Sequence, residues 1–230
     1  MPPDDAHDAA KRELARLKAL ADYRILDTEA ERSFDEIARL ASIVCQTPVS
    51  LVSFVETDRQ WFKARVGFEA CQTPISQSVC RHALHQTDLL IIPDLTRDPR
   101  TWDNTLVTEH PAIRFYAGAP LVTPEGVVVG TLCVIDTEPR PHGLTVDQAM
   151  ALETLGRQVV AQLELRKALS HSAEQAGVHK SISDRSRFAE EAGGIGTFEL
   201  DVATGMMVVS PQYCRLFGLP MGETLHASAS

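Results

Sequence analysis

The chain has no apolar stretch long enough to cross a membrane. Its longest uncharged run, residues 40–55, is interrupted by Ser42, Gln46, Thr47, Pro48 and Ser50, and falls short of the ~20 apolar residues that a spanning helix needs. The opening Met1-Pro2-Pro3-Asp4-Asp5 lacks the apolar core of a secretory leader. An excess of basic residues is missing too. Lys and Arg number 22 against 31 Asp and Glu, a formal charge of −9. Neither nucleic acid nor an anionic membrane surface is therefore expected as the main partner, because phosphate binding needs a basic face. The five cysteines are odd in number and contain no C-x-x-C pair. They fit reduced thiols in the cytoplasm and exclude a disulfide framework. There is no Gly-x-Ser-x-Gly elbow to hold a catalytic serine. Gly193-Gly194-Ile195-Gly196 precedes a strand and lacks the context of a phosphate loop.

What is present is an ordinary globular composition, 44% hydrophobic and 23% charged. The 230 residues correspond to between one and two domains of ~150 residues. Helical spacing of Leu14, Leu17 and Ala21 predicts an amphipathic helix over residues 9–23. Ser33 and Glu36 have capping-box spacing. They precede a helix with an apolar stripe of Phe34, Ile37, Ala41 and Val44, limited by Pro48. The period then changes. Residues 49–56 and 61–66 read as a hairpin about Thr57-Asp58. A short helix is predicted over 77–86 with Ser76 as its N-cap, then a strand over 89–92. Residues 94–114 are long, polar and irregular, with one helical turn near 102–107. Such a connection inside a compact domain is more often a binding loop than filler. Strands over 115–122 and 127–135 flank the turn Thr123-Pro124-Glu125-Gly126.

Thr145 and Gln148 form a second capping-box pattern, opening a helix with Leu152, Leu155, Val159 and Leu163 on one face. The pattern continues through Arg166, Leu169, Ala173 and Ala176 at near-heptad spacing, a marginal two-helix seam. Gly177 is expected to end or loosen it. A new unit follows Ser181: a short helix over 188–192, strands over 197–202 and 206–210, and a helix over 212–217 opened by Ser210-Pro211. Little more than 40 residues are too few for a stable core of their own, so a truncated second domain ending in a polar tail is expected.

This order implies an α+β fold, an antiparallel β-sheet with helices packed on it. Several segments resemble bacterial GAF domains. They are Arg24-Ile25-Leu26-Asp27-Thr28 with Phe34-Asp35, Ser50 to Val55 with Arg59-Gln60-Trp61-Phe62-Lys63, and Ser78-Val79-Cys80-Arg81-His82-Ala83. The most specific are Ile113-Arg114-Phe115-Tyr116-Ala117-Gly118-Ala119-Pro120-Leu121 and Gly130-Thr131-Leu132-Cys133-Val134-Ile135-Asp136. Residues 194–219 resemble the first half of a PAS domain. The resemblance implies an N-terminal helix over 1–24, a GAF domain over 25–166, a helical linker over 167–185 and a partial PAS domain over 186–230. It implies a cytoplasmic sensor, homodimeric through its N- and C-terminal helices, with a downstream output domain. That output is most often a histidine kinase, less often a diguanylate cyclase. Fold likeness alone fixes neither ligand nor activity.

Four chemistries compete for the cysteine- and aromatic-rich segments. Cys80, His82 and His85, joined by Cys71 and Cys133, have the elements of a metal site, but lack a C-x-x-C pair or a carboxylate at suitable spacing; no metal is expected. Phytochrome-like GAF domains attach a bilin through a cysteine directly followed by histidine, and here Arg81 intervenes. Free methionine sulfoxide reductases are GAF domains that use thiol chemistry. Cys71 and Cys80 resemble two of their cysteines, but the third, catalytic one should lie near residues 112–114, where there is none. No catalytic residue and no cofactor is assigned. The remaining expectation is a pocket between sheet and long loop for an unidentified small ligand. Its candidate lining is Phe54, Trp61, Phe62, Cys80, His82, Trp102, Phe115 and Tyr116, with Asp94, Arg100, Asp103, Asn104 and Arg114 as orienting polar groups. The competing bland reading makes the aromatics core packing and the loop a solvated connection. A ligand-free dimerisation platform is the corresponding functional alternative.

Overall fold

A computed structural model describes residues 3–219 and 224–226, with side chains characterised at 7, 8, 10–175 and 192–219. The β-branched and aromatic runs become strands β1 (Val49–Val55), β2 (Arg59–Val66), β3 (Gln72–Pro74), β4 (Leu90–Ile92), β5 (Phe115–Val122) and β6 (Val128–Asp136). They form one antiparallel sheet in the order β3-β2-β1-β6-β5-β4. Strands β1 and β6 lie at its centre and are buried almost throughout. Such a strand must be apolar on both faces. One irregularity matters. Val52 pairs with Ala64 and Ser53 with Phe62, which leaves Lys63 as the extra residue of a β-bulge.

Helices cover one face. These are α1 (Pro3–Asp22), α2 (Arg32–Cys45) and the first part of α4 (Val146–Gly193); α3 (Thr105–Thr108) is a single turn in the long loop. Leu20, Tyr23 and Ile25, then Phe34, Ile37, Ala38, Ala41 and Cys45, and Leu152, Val159 and Leu163 pack on Val52, Phe54, Trp61, Phe115, Ala117 and Leu132. The buried face of α1 is not the expected one: Leu14 and Ala21 are exposed, and Arg16 and Leu20 are buried. Arg16 is accommodated there because its guanidinium donates to Val55 O at 2.6 Å and to the Glu13 carboxylate. In α2 the last stripe position is Cys45, while Val44 is exposed.

The first capping box does not form. Glu31 occupies the N-cap of α2 and makes no capping bond, so Ser33 lies inside the helix. The Glu31 carboxylate serves two cations instead, Lys63 Nζ at 2.7 Å and Arg166 Nε at 3.0 Å. The second box forms as expected. Gln148 N donates to Thr145 Oγ1 at 3.2 Å and Thr145 N to Gln148 Oε1 at 3.1 Å. Thr145→Ala is expected to lower stability by about 1 kcal/mol, readable as a lower urea midpoint at unchanged slope.

The chain divides into two compact units, Met1–Ala168 and Leu169–Ser230. Helix α4 runs unbroken past Gly177 to Gly193, so neither the expected stop nor a separate helix over 188–192 is present. A single internal glycine costs only about 1 kcal/mol in a helix. In the second unit, β7 (Phe198–Asp201) pairs with β8 (Met206–Val209) about the turn at Gly205, and β8 with β9 (Thr224–His226). Between β8 and β9 lies α5 (Pro211–Phe217), whose N-cap Ser210 accepts from Tyr213 N at 3.2 Å. Strand β9 lies in what the sequence suggested was a polar tail; the rest of that tail is outside the described residues. Among the described residues no helix is long and apolar enough to cross a membrane.

Candidate functional site

The other face of the sheet is covered by chain, not by long helices. The expected helix over 77–86 is replaced by two 3-10 turns, Ile75–Gln77 and Cys80–Ala83. Their hydrogen bonds close over three residues: Ser78 N to Ile75 O, His82 N to Val79 O and Leu84 N to Arg81 O. Ser76 caps nothing, whereas Ser78 Oγ accepts from Arg81 N at 3.1 Å. The long loop is stitched to these turns. Asn104 caps α3 by accepting from Leu106 N at 2.9 Å and donates to Gln77 O at 3.1 Å. Gln77 donates to Thr105 Oγ1 at 2.9 Å.

The turns deliver Cys80 onto the sheet, fully buried. Its sulfur accepts from Gln60 Nε2 at 3.0 Å, Tyr116 OH at 3.3 Å and Ser53 Oγ at 3.4 Å, and lies 3.8 Å from Cys133 Sγ. Ser53 Oγ also shares a 3.0 Å hydrogen bond with Thr131 Oγ1. Burial pushes the Cys80 thiol up, while its hydrogen bonds with Cys133, Ser53, Thr131 and Tyr116 pull it down, below the usual thiol range. Cys133 moves the other way, held well above the usual thiol range by its bond to Cys80 and by burial. Burial and the neighbouring thiols likewise raise Tyr116. Above the Cys80 sulfur lies a cavity of about 20 Å³, bounded by Leu51, Phe62, Phe68, Cys80, Ile113 and Tyr116 among others. That is room for about one water-sized molecule.

Only part of the expected pocket converges here. Phe62, Cys80 and Tyr116 face this layer. Phe54, Trp61 and Phe115 face the helices, because successive strand residues point to opposite faces. Neither Trp61 with Phe62 nor Phe115 with Tyr116 can line one cavity. His82 turns outward to a surface hollow of about 310 Å³ shared with Glu13, Arg16 and His85. Burial and the nearby Arg81 and Arg100 lower its pKa. Trp102 and Asp103 are exposed. Asp94 accepts from Thr96 N and Oγ1, Arg100 pairs with Asp98, and Arg114 donates to Val107 O and Ile113 O. These polar groups hold the loop in shape. Among the described residues no three metal-ligating side chains gather at one point.

The domain is thus a six-stranded antiparallel sheet with helices on one face and a buried layer holding two thiols on the other. The family model of the GAF domain matches residues 29–163, more than half of the chain. The chain belongs to the GAF domain family. A cyclic di-GMP phosphodiesterase of Pseudomonas aeruginosa is 37% identical over 230 residues, 99% of this chain. The chain spans 38% of that relative's length. Among solved structures, the GAF domain of a phosphoenolpyruvate-protein phosphotransferase from Coxiella burnetii superimposes with a TM-score of 0.52 at 12% identity. It matches over 70% of this chain and 98% of its own. The blue-light absorbing form of the PixJ GAF domain from Thermosynechococcus elongatus gives a TM-score of 0.50 at 16% identity, over 64% of this chain and 92% of its own. At these identities the likeness concerns the fold.

Within this GAF domain, Ser53, Gln60 and Thr131 were not anticipated as site residues, and Cys133 only as a remote metal ligand. They come from β1, β2 and β6, and only the pairing of those strands assembles them. The one signal in sequence was polarity at Ser53, Gln60 and Thr131 beside the apolar residues of these strands. Buried polar groups need partners, and here each finds one at or next to the Cys80 sulfur.

Proposed function

We propose that the chain is the regulatory front of a cytoplasmic signalling protein. Its GAF domain receives a small-molecule signal and passes it through α1 and α4 of a homodimer to an output that turns over cyclic di-GMP. The observation that carries this reading is the 37% identity over 99% of the chain to a cyclic di-GMP phosphodiesterase. Most of that relative's length lies outside the matched region, which leaves room for an output domain. The histidine kinase expected from the family resemblance gains no support from this relative. The antiparallel β7-β8-β9 unit with its capped α5 supports reading residues 186–230 as the start of a PAS domain. Exposed Leu14 on α1, with Leu165 and Leu169 on α4, supplies apolar surface for pairing.

The size of the cavity beside Cys80 favours a second reading, the ligand-free dimerisation platform. It also disfavours a methionine sulfoxide reductase, whose amino-acid substrate has many times the volume of a water molecule. Native mass spectrometry of the purified chain separates sensor from platform, since bound mass is expected only for the sensor. The full-length parent is expected to hydrolyse cyclic di-GMP. Glu164→Gln, which weakens the tie between Tyr23 OH and the Glu164 carboxylate, is expected to change its rate by about fivefold. Absence of hydrolysis, or autophosphorylation on histidine, overturns the output assignment; an unchanged rate overturns relay through α4.

A further inference from the structure

Two buried thiols face each other inside the domain, and they differ in their access to a cavity and in their hydrogen bonds. Cys80 borders the cavity and is the target of three converging donors, from Gln60, Tyr116 and Ser53. A neutral thiol is a weak acceptor, so three donors on one sulfur describe a site built for its anion. Cys133 lies at the sheet centre, 3.8 Å away. It pairs across to Leu51 and Gly118. One sulfur thus meets the cavity and the other stands behind it. This is the order that a nucleophilic and a resolving thiol require.

We propose that Cys80 and Cys133 form a peroxide-reactive dithiol site, in which hydrogen peroxide oxidises Cys80 and Cys133 then closes a disulfide. In the first step the Cys80 thiolate attacks one oxygen of the peroxide. The S–O bond forms, the O–O bond breaks, and the leaving hydroxide takes the proton that Cys80 released. Sulfur is oxidised by two electrons and the peroxide is reduced. In the second step Cys133 gives up its proton and attacks the sulfenic sulfur. The S–S bond forms, the S–O bond breaks, and the departing hydroxide and that proton make water. Two thiols and one hydrogen peroxide give one disulfide and two waters. The sulfurs must close from 3.8 Å to about 2.05 Å, which the short Cys80–Ala83 turn can supply more readily than the sheet centre. The cavity of about 20 Å³ selects by size: hydrogen peroxide is close to water in bulk, whereas an amino-acid sulfoxide or an aromatic disulfide reagent is far larger. This site does not depend on the identity of the output domain.

Cys71 is exposed, and it shares the tryptic peptide 66–81 with Cys80. The test therefore uses the whole chain carrying Cys71→Ser, treated with hydrogen peroxide and mapped by mass spectrometry. A loss of about 2 Da is expected, with peptide 66–81 joined to the peptide holding Cys133. Adding Cys133→Ser should stop the reaction at a sulfenic acid on Cys80 that dimedone traps. Adding Cys80→Ser should abolish both products. Tyr116→Phe should slow oxidation by about tenfold, since one donor to the sulfur is lost. A bulky aromatic disulfide should label Cys80 at least a hundredfold more slowly than it labels Cys71 in the unsubstituted chain. The site is refuted if folded Cys71→Ser protein resists peroxide. It is equally refuted if Cys45 or Cys214 reacts first, or if the bulky reagent reaches Cys80 as fast as Cys71, since access is then by unfolding. Because the first arm keeps both buried thiols, misfolding of a core variant does not remove the test.

Discussion

Glu31→Ala is expected to destabilise the GAF domain by about 3 kcal/mol. Lys63 is a buried cation in β2, next to the edge strand, brought to the helix side by the bulge there. Its Nζ donates to Thr28 Oγ1 at 2.7 Å, to Glu29 O, and to Glu31 Oε1 at 2.7 Å. Of these partners only Glu31 carries a charge, and the same oxygen accepts from Arg166. Removing it leaves one buried and one half-buried cation without a counter-charge, which costs far more than the net worth of the pair. Glu31 is itself partly exposed, so water screens the pair and the cost lies at the low end for a broken buried pair. Lys63→Met makes the comparison decisive. It deletes the charge that needs compensation and retains a long stem over the Phe34 ring, where Nζ now sits 5.5 Å from the centroid. Urea unfolding should rank Glu31→Ala well below Lys63→Met. The reverse order would show that the ion pair is a net contributor and not a compensation for burial.

Gly130→Ala is expected to cost roughly 3 kcal/mol or more, and to leave little folded protein. Gly130 lies in β6 opposite Phe54 of β1. A Cβ there would stand 2.0 Å from Ser53 O and 3.1 Å from Phe54 Cα. Both obstacles are backbone, and β1 cannot retreat because β2 holds its other edge. Gly126 is the control. It has φ +81° with nothing within 4 Å of a Cβ. Gly126→Ala meets only the left-handed backbone penalty of about 1 kcal/mol. Circular dichroism melts of the two variants should separate them widely. Equal melting temperatures would mean that the central pair of strands can spread.

Several parts of the fold governed by local chemistry were legible in the sequence, although the Ser33/Glu36 box was not among them. The hairpin about Thr123-Pro124-Glu125-Gly126, the Thr145/Gln148 box and the Ser210-Pro211 helix start each rest on a few adjacent residues whose preferences agree. The candidate site was legible only in fragments, because it is assembled across strands. Where a strand is apolar on both faces, period-two alternation vanishes, and Trp61–Phe62 and Phe115–Tyr116 give no sign of which ring faces which layer. A lysine in a strand reads as solvent-facing unless the bulge that redirects it is visible, and a bulge is a property of two strands at once. A short helix over 77–86 capped by Ser76 was expected, but the turns there are fixed by burial of Ser78, Cys80 and Ala83 against the sheet. The pairing of Cys80 with Cys133 joins residues 53 positions apart, beyond any local signal.

The stretch of α4 at Glu164–Lys167 is gripped from two flanks. Glu164 accepts from Tyr23 OH, and Lys167 lies over the same tyrosine ring; Arg166 is held by Glu31. At about 100° per residue, positions 164 and 166 point to nearly opposite sides of the helix. The two grips therefore behave as a detent. Turning α4 about its axis in one sense strains the tyrosine side and slackens the glutamate side, and turning it in the other does the reverse. Sliding it lengthwise strains both. Under the proposed relay, a stimulus that turns α4 is expected to release one of these two ties, and the tie that releases records the sense of the turn.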